Sequence, residues 1–331
     1  MNSIRILKSV NRRAKDLSLK IRSIACAGKM ALTGALMVSA CSSFASPIQN
    51  AKPNPEKEKL VYRSEPVVDT RPYFDIPVTY NSKVKFWINY FQTSGKKWFR
   101  TWLERSHAYM PVMQNMLANR NMPQDLAYVA MIESGFSAHA TSDAAAVGYW
   151  QFIAPTANRY GLKTNWWLDE RRDFSKSTSA AARYLADLYK MFGSWYLTAA
   201  AYNMGEGKMK RLINRHQTKN YWILSNKPDF PNETRDYIPK LLAAMLIAKA
   251  PALYGFNDIK PKQPYSYEYF HIPGGTDLYS LAAYCNVSGD QLTKLNPELV
   301  KGYVPSHIPS HRIRIPRGLT PTVSRFVRAN L

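Results

Sequence analysis

The first sustained helical pattern in the chain begins near Ser82, where Val84, Trp87, Ile88 and Phe91 fall on one face and Ser94-Gly95 breaks the run. A second helix is predicted over about 96–119, with Trp98, Trp102, Tyr109, Met113, Met116 and Leu117 as its apolar content and Pro111 expected to kink or interrupt it. Asn121-Met122-Pro123 opens a third. In it Leu126, Val129, Ala130 and Glu133 recur at i, i+3, i+4 and i+7, so one carboxylate continues an apolar stripe, and Gly135 reads as a helix stop. A stretch of small residues, 137–146, comes next, and Ala154-Pro155-Thr156 starts a short helix that stops at Gly161. Ser175 or Ser177 caps the next helix, whose Ala181, Tyr184, Leu185, Leu188 and Phe192 keep helical spacing up to Gly193. Residues 195–202 are apolar and helical, and Asn203 to Gly207 bend the chain before a helix to about Arg215. The last long helix spans 234–250, with Pro239 marking a kink or restart.

The pattern then changes period. Residues 265–272 alternate as a strand, and Pro273-Gly274-Gly275-Thr276 is a turn. Short helical patterns cover 278–284 and 290–295, and Arg312 to Ile315 form a closing strand. The expected fold class is mainly α: a helical domain over 81–255, a linker over 256–264, a small βααβ domain over 265–317 and a tail over 318–331.

Composition fits a globular chain long enough for two modest domains, with 331 residues that are 46% hydrophobic. The net charge of +22 asks for an anionic partner, and the 8 Trp and 21 Tyr suit large cores or sugar-stacking clefts. Residues 1–29 carry eight Lys and Arg against Asp16 alone, a net +7, and the uncharged apolar run 30–40 after them is too short to span a bilayer. Together they read as a signal peptide over 1–40. The run ends in Val38-Ser39-Ala40-Cys41, which resembles a bacterial lipobox and makes Cys41 the expected lipidation site; a soluble-secretion signal cleaved after Ala45 is the competing reading. Residues 41–80 are rich in Pro, Ser, Asn and Lys, a tether of extended character. Of three cysteines only Cys41 and Cys285 outlast the signal, so no internal disulfide framework is expected. Removing the +7 of the signal leaves +15. For an exported chain the anions are wall polymers and lipid headgroups, and nucleic acid is not an expected partner.

A carboxyl on an apolar face resists ionisation, and a proton held near neutral pH is what a general acid needs. By spacing alone, a helix-ending Glu turned to solvent is the simpler reading of Glu133. Four segments in order along the chain reverse that. Glu133-Ser134, Gly148-Tyr149-Trp150-Gln151, Ala201-Tyr202-Asn203-Met204-Gly205 and Glu233-Thr234-Arg235-Asp236-Tyr237-Ile238 together, in order and spacing, resemble the lysozyme-like (goose-type, SLT) domain of the lytic transglycosylases. Tyr149 and Met204 depart from the usual Leu and Ala. Residues 82–120, Trp150 to Ile153, the Asp169-Glu170-Arg171-Arg172-Asp173 run and the lipobox are similar to a membrane-bound subgroup of that family.

The resemblance implies cleavage of the β-1,4 bond between N-acetylmuramic acid and N-acetylglucosamine without water, giving 1,6-anhydro ends. Glu133 then acts as acid and next as base, helped by the high effective molarity of the muramyl 6-hydroxyl. It assigns support or substrate binding to Ser134, Gln151, Tyr202, Asn203 and Tyr237. Gln151 and Asn203 are amides that both donate to and accept from an N-acetyl group. Tyr202 and Tyr237 either bond Glu133 or line the cleft, and the resemblance favours Tyr237 as the carboxylate's partner. Ser134 reads equally as a donor to substrate and as a helix-end hydroxyl on backbone, and at least one of Tyr149 and Trp150 is expected in the core. Asp143, Asp169, Glu170 and Asp173 read as solvated or helix-capping acids. The tail resembles a LysM module. Its turn is Gly275-Thr276-Asp277, and Ile308 to His311 lack the usual Gly-Gln, which leaves sugar binding and mere packing both open. The six His are scattered, so neither metal nor cofactor is expected. The expected partners are peptidoglycan strands and, through Cys41, a membrane; Ser42 fits the periplasmic side of the outer membrane. A hydrolytic muramidase and a non-catalytic wall-binding protein are the alternatives.

Overall fold

Helix α1 (Ser82–Gln92) starts where the Asn81 side chain accepts the N–H groups of Lys83 and Val84, and it buries Val84, Trp87, Ile88 and Phe91 as its period requires. Helix α2 (Lys96–Ala118) packs on it through a stacked Phe91–Phe99 pair with ring centroids 4.2 Å apart. Pro111 lies inside α2 and does not interrupt it. The carbonyl it deprives of a donor belongs to His107, four residues earlier, an exposed residue that solvent can reach.

The computed structural model describes residues 72–264 and 266–330. The signal peptide, the lipobox with Cys41 and the first part of the tether lie outside these residues. The described end of the tether is extended but docked: Ile76 is buried, and the Tyr196 hydroxyl donates to the Pro77 carbonyl at 2.8 Å.

A 3₁₀ turn (Gln124–Leu126) leads into α3 (Ala127–Ser134), followed by α4 (Ala154–Arg159), α5 (Phe174–Phe192), α6 (Trp195–Met204), α7 (Glu206–His216), α8 (Tyr221–Leu224), α9 (Asn232–Arg235) and α10 (Tyr237–Lys249). The cap of α5 is Asp173, whose carboxylate accepts the Lys176 N–H at 2.8 Å, not Ser175 or Ser177. Pro239 stands in the first turn of α10, where its missing N–H costs nothing, and the expected single helix over 234–250 is α9 and α10 with a break at Asp236. Helix α10 packs against α1, α3 and α6, so the site lies where these helices meet.

Strands β1 (Tyr267–Pro273) and β2 (Ser310–Pro316) pair antiparallel with Phe270 opposite Ile313, and α11 (Leu278–Tyr284) and α12 (Gly289–Leu295) lie between them in sequence. The expected tail holds a further helix, α13 (Thr320–Ala329), which buries Val323 and packs against β1 and α11. The expected linker begins in the helical core, with Phe256 buried 5.6 Å from the Phe99 ring.

Two cores result. One joins the helices α1 to α8 and α10, and the other, built on Ile272, Leu278, Leu281, Leu292, Ile313 and Val323, also takes in Trp167 and Leu168 from the helical domain. Main-chain bonds continue that junction: Asp169 N–H donates to the Glu298 carbonyl (2.8 Å) and Val300 N–H to the Trp167 carbonyl (2.9 Å). At its centre the Arg314 guanidinium meets Asp173 at 2.5 Å and Glu298 at 3.0 Å, with all three side chains only 3–4% exposed. Burial and the neighbouring Asp173 charge push the Glu298 carboxyl up to about 7.

Candidate active site

Glu133 is delivered by a short helix fixed at both ends. At the start, Asp75 accepts the N–H groups of Gln124 (2.5 Å) and Asp125 (3.0 Å), and buried Asp125 pairs with Lys249 at 2.5 Å. Every residue from Ala127 to Ile132 is buried, so α3 is held all round. At the end Gly135 takes φ +59°, and a Cβ there would stand 2.0 Å from the Trp102 ring. Only glycine satisfies both the left-handed turn and that approach.

The carboxyl of Glu133 is half-buried and accepts the Tyr237 hydroxyl at 2.6 Å. Desolvation pushes it up to about 7, against the opposing pull of the Tyr237 bond and the Lys240 charge. Tyr237, enclosed and beside that carboxyl, is raised well above the ordinary phenol range and stays a donor. Lys240, one turn after Tyr237, lies over its ring and that of Trp87, and burial lowers its ammonium. Glu233 is also within electrostatic reach and disfavours the charged form of Glu133. Neither Lys240 nor Glu233 stood among the sequence candidates. The signal for Lys240 was its i+3 spacing from Tyr237.

The remaining candidates divide. Ser134 donates to the Tyr149 carbonyl at 2.8 Å and accepts the Ser137 N–H at 3.2 Å, so its hydroxyl is bound to backbone. Gln151, at φ +51°, gives its amide hydrogens to the carbonyls of Ala140 (3.1 Å) and Gly148 (2.9 Å) and pins the loop after Glu133. Its Oε1 is what remains for a ligand. Tyr202 donates to the Trp150 carbonyl at 2.8 Å rather than to Glu133. Asn203 accepts the Thr234 hydroxyl at 2.7 Å, which ties α6 to α9 and leaves its Nδ2 group for a ligand. Trp150 and Tyr149 are both core residues; Trp150 Nε1 donates to Thr178 at 2.9 Å. A Cβ at Gly148 would stand 2.0 Å from the Arg171 carbonyl oxygen, so this loop needs glycine there.

Of the acids read as solvated or helix-capping, Asp143 is exposed, Asp169 caps the 3₁₀ turn Glu170–Arg172 and Asp173 caps α5, but Asp169, Glu170 and Asp173 are buried. Asp169 holds Arg171 at 2.8 Å and Glu170 holds Lys176 at 2.5 Å, while Asp173 caps α5 and pairs with Arg314. None contacts Glu133. Among the described residues no group of His, Cys, Asp and Glu is placed to hold a metal, and no helix is long and apolar enough to cross a membrane.

A helical lysozyme-like domain that presents one raised carboxyl under a tyrosine defines a class. Residues 110–225 match the Transglycosylase SLT domain, and residues 267–328 match the LysM-like domain of lytic transglycosylase MltD, so the chain carries an SLT domain followed by a LysM-like domain. Over 197 residues it is 36% identical to membrane-bound lytic murein transglycosylase D of Escherichia coli K12, and equally so to that of E. coli O6:H1; the alignment takes in 58% of this chain and 43% of each relative. The chain therefore spans less than half the length of these relatives. A putative tributyltin chloride resistance protein of Alteromonas sp. M-1 is 36% identical over 122 residues, covering 36% of this chain and 59% of its own. Tyr237 lies outside the SLT match, yet its hydroxyl closes on Glu133.

Proposed function

We propose that this protein is a peptidoglycan lytic transglycosylase that cleaves the bond between N-acetylmuramic acid and N-acetylglucosamine and leaves 1,6-anhydro ends. The observation that carries the reading is the Glu133–Tyr237 pair, a carboxyl held near neutral pKa with a phenol donating to it. Protonated, Glu133 donates to the glycosidic oxygen as the bond breaks. The carboxylate so formed is stabilised by the Tyr237 hydroxyl and by the charge of Lys240, and it then accepts the proton of the muramyl 6-hydroxyl as that oxygen closes on the anomeric carbon. The oxygen of Gln151 and the Nδ2 of Asn203 are the groups left to meet an N-acetyl substituent. Ser134 and Tyr202 act as positioning residues, each tied to the Tyr149–Trp150 backbone. The sequence pattern adds a lipid anchor at Cys41 on the periplasmic side of the outer membrane, with the membrane and the wall as partners and no cofactor.

One observation favours a second reading. Glu233 near Glu133 allows a pair of carboxylates, with water activated on the second, as in a hydrolytic muramidase. Mass spectrometry of digested sacculi decides. Anhydro ends with wild type, and a loss of at least ~100-fold in Glu133→Gln, support the proposal, whereas reducing ends abolished by Glu233→Gln establish the muramidase. Wall binding without any cleavage overturns both.

A further inference from the structure

A cavity of about 520 Å³ lies between the two domains, with His139 and Arg172 from the helical domain on one side and Tyr279, Lys294 and Lys301 from the LysM-like domain on the other. No acidic side chain lines it. The Arg172 guanidinium is mostly covered. One of its terminal nitrogens meets His139 Nδ1 at 3.0 Å, and its buried Nε faces Asp169 at 3.7 Å without a hydrogen bond. Burial and the Arg172 charge lower the His139 pKa, so the ring stays neutral and leaves the positive charge to the three cations. Among the described residues Lys294 pairs with exposed Asp290 at 3.4 Å. The Tyr279 ring has its place because two neighbours are glycines: a Cβ at Gly289 would stand 2.4 Å from it and one at Gly302 3.1 Å. The walls do not drift, because the Arg314 pairs and the main-chain bonds of the junction fix one domain against the other. His139 adjoins Ala140, whose carbonyl receives the Gln151 amide in the loop after Glu133.

We propose that this inter-domain cavity is a subsite for the carboxylate-bearing stem peptide of the wall, taken by Arg172, Lys294 and Lys301 around the Tyr279 ring. It rests on peptidoglycan being the substrate. In peptidoglycan the glycan between attachment points is uncharged, and the anionic groups are the peptide carboxylates. A cationic cavity with an aromatic wall therefore suits peptide rather than sugar.

The test uses the full chain carrying Glu133→Gln, so that strands are bound and not consumed. Soluble glycan fragments with intact stem peptides are titrated beside the same fragments stripped of peptide by an amidase and then amidated at the muramyl lactyl carboxyl that the cleavage exposes. The expected result is about tenfold tighter binding of the peptide-bearing fragments, with that ratio falling to about 1 in Lys294→Glu/Lys301→Glu at an unchanged melting temperature. A ratio of 1 before the lysines are changed, or one that they do not alter, overturns the subsite. The titration needs no turnover. Failure of the catalytic proposal is read separately, from the products of the chain with Glu133 intact.

Discussion

Glu133 has its proton affinity set by burial and three neighbours of different kinds, which makes the pH profile predictable in sign. Burial raises the carboxyl and the Glu233 charge adds to it, while the Tyr237 hydrogen bond and Lys240 oppose. On the proposed mechanism the acid form is the active one in the first step, so kcat/KM should fall as pH rises through about 7. Tyr237→Phe and Lys240→Met each remove a lowering influence and should move that limb to higher pH. Glu233→Gln removes a raising influence and should move it lower. Stopped assays from pH 5 to 9 check all three directions. Stability carries the same sign. Between pH 4.5 and about 7 the folded chain holds a proton on Glu133 that the unfolded chain has released, so stability falls with rising pH. Glu133→Gln should therefore unfold later than wild type at pH 8, by about 1–3 kcal/mol in urea titration, and show little gain at pH 4.

Among the elements, α3 is the one whose placement decides the site, and its end is the sensitive point. Gly135→Ala forces a Cβ into the Trp102 ring at a left-handed turn. It should lower stability by about 1–3 kcal/mol and activity with it, and the loss of near-ultraviolet tryptophan signal would register the displaced ring. How much of this is legible in the sequence varies by element. Helices with a clean apolar period, such as α1 and α5, stand close to where their spacing puts them. Glu133 and Tyr237 are 104 positions apart, and only the ordered segments between them announce the pair. Helix α13 reads as tail, although Val323, Phe326 and Val327 sit at i, i+3 and i+4 with Pro321 in its first turn. Lys240 and the acids at 169–173 are hidden for a general reason. A charged side chain defaults to solvent in any reading of pattern, and its burial depends on a partner that pattern does not supply.

For the whole molecule that partner is Arg314. It is the charge on which Asp173 and Glu298 depend, from opposite sides of the domain junction. Arg314→Met should cost about 3–5 kcal/mol, since it strands buried carboxylates, with the loss read from urea unfolding and eased in acid as Glu298 takes up a proton. On the proposed function the +15 expected beyond the signal would draw the protein to an anionic wall, but attraction of that kind has no direction. The junction supplies one. Two modules joined by a slack linker would reach for binding points at many separations, with an advantage that fades gradually with distance. Clamped through Arg314, they behave as a caliper. A strand too short to touch both jaws gains nothing from the second, and one that reaches gains the full local concentration at once. Affinity plotted against strand length should rise as a step, and its position is a length written into the protein.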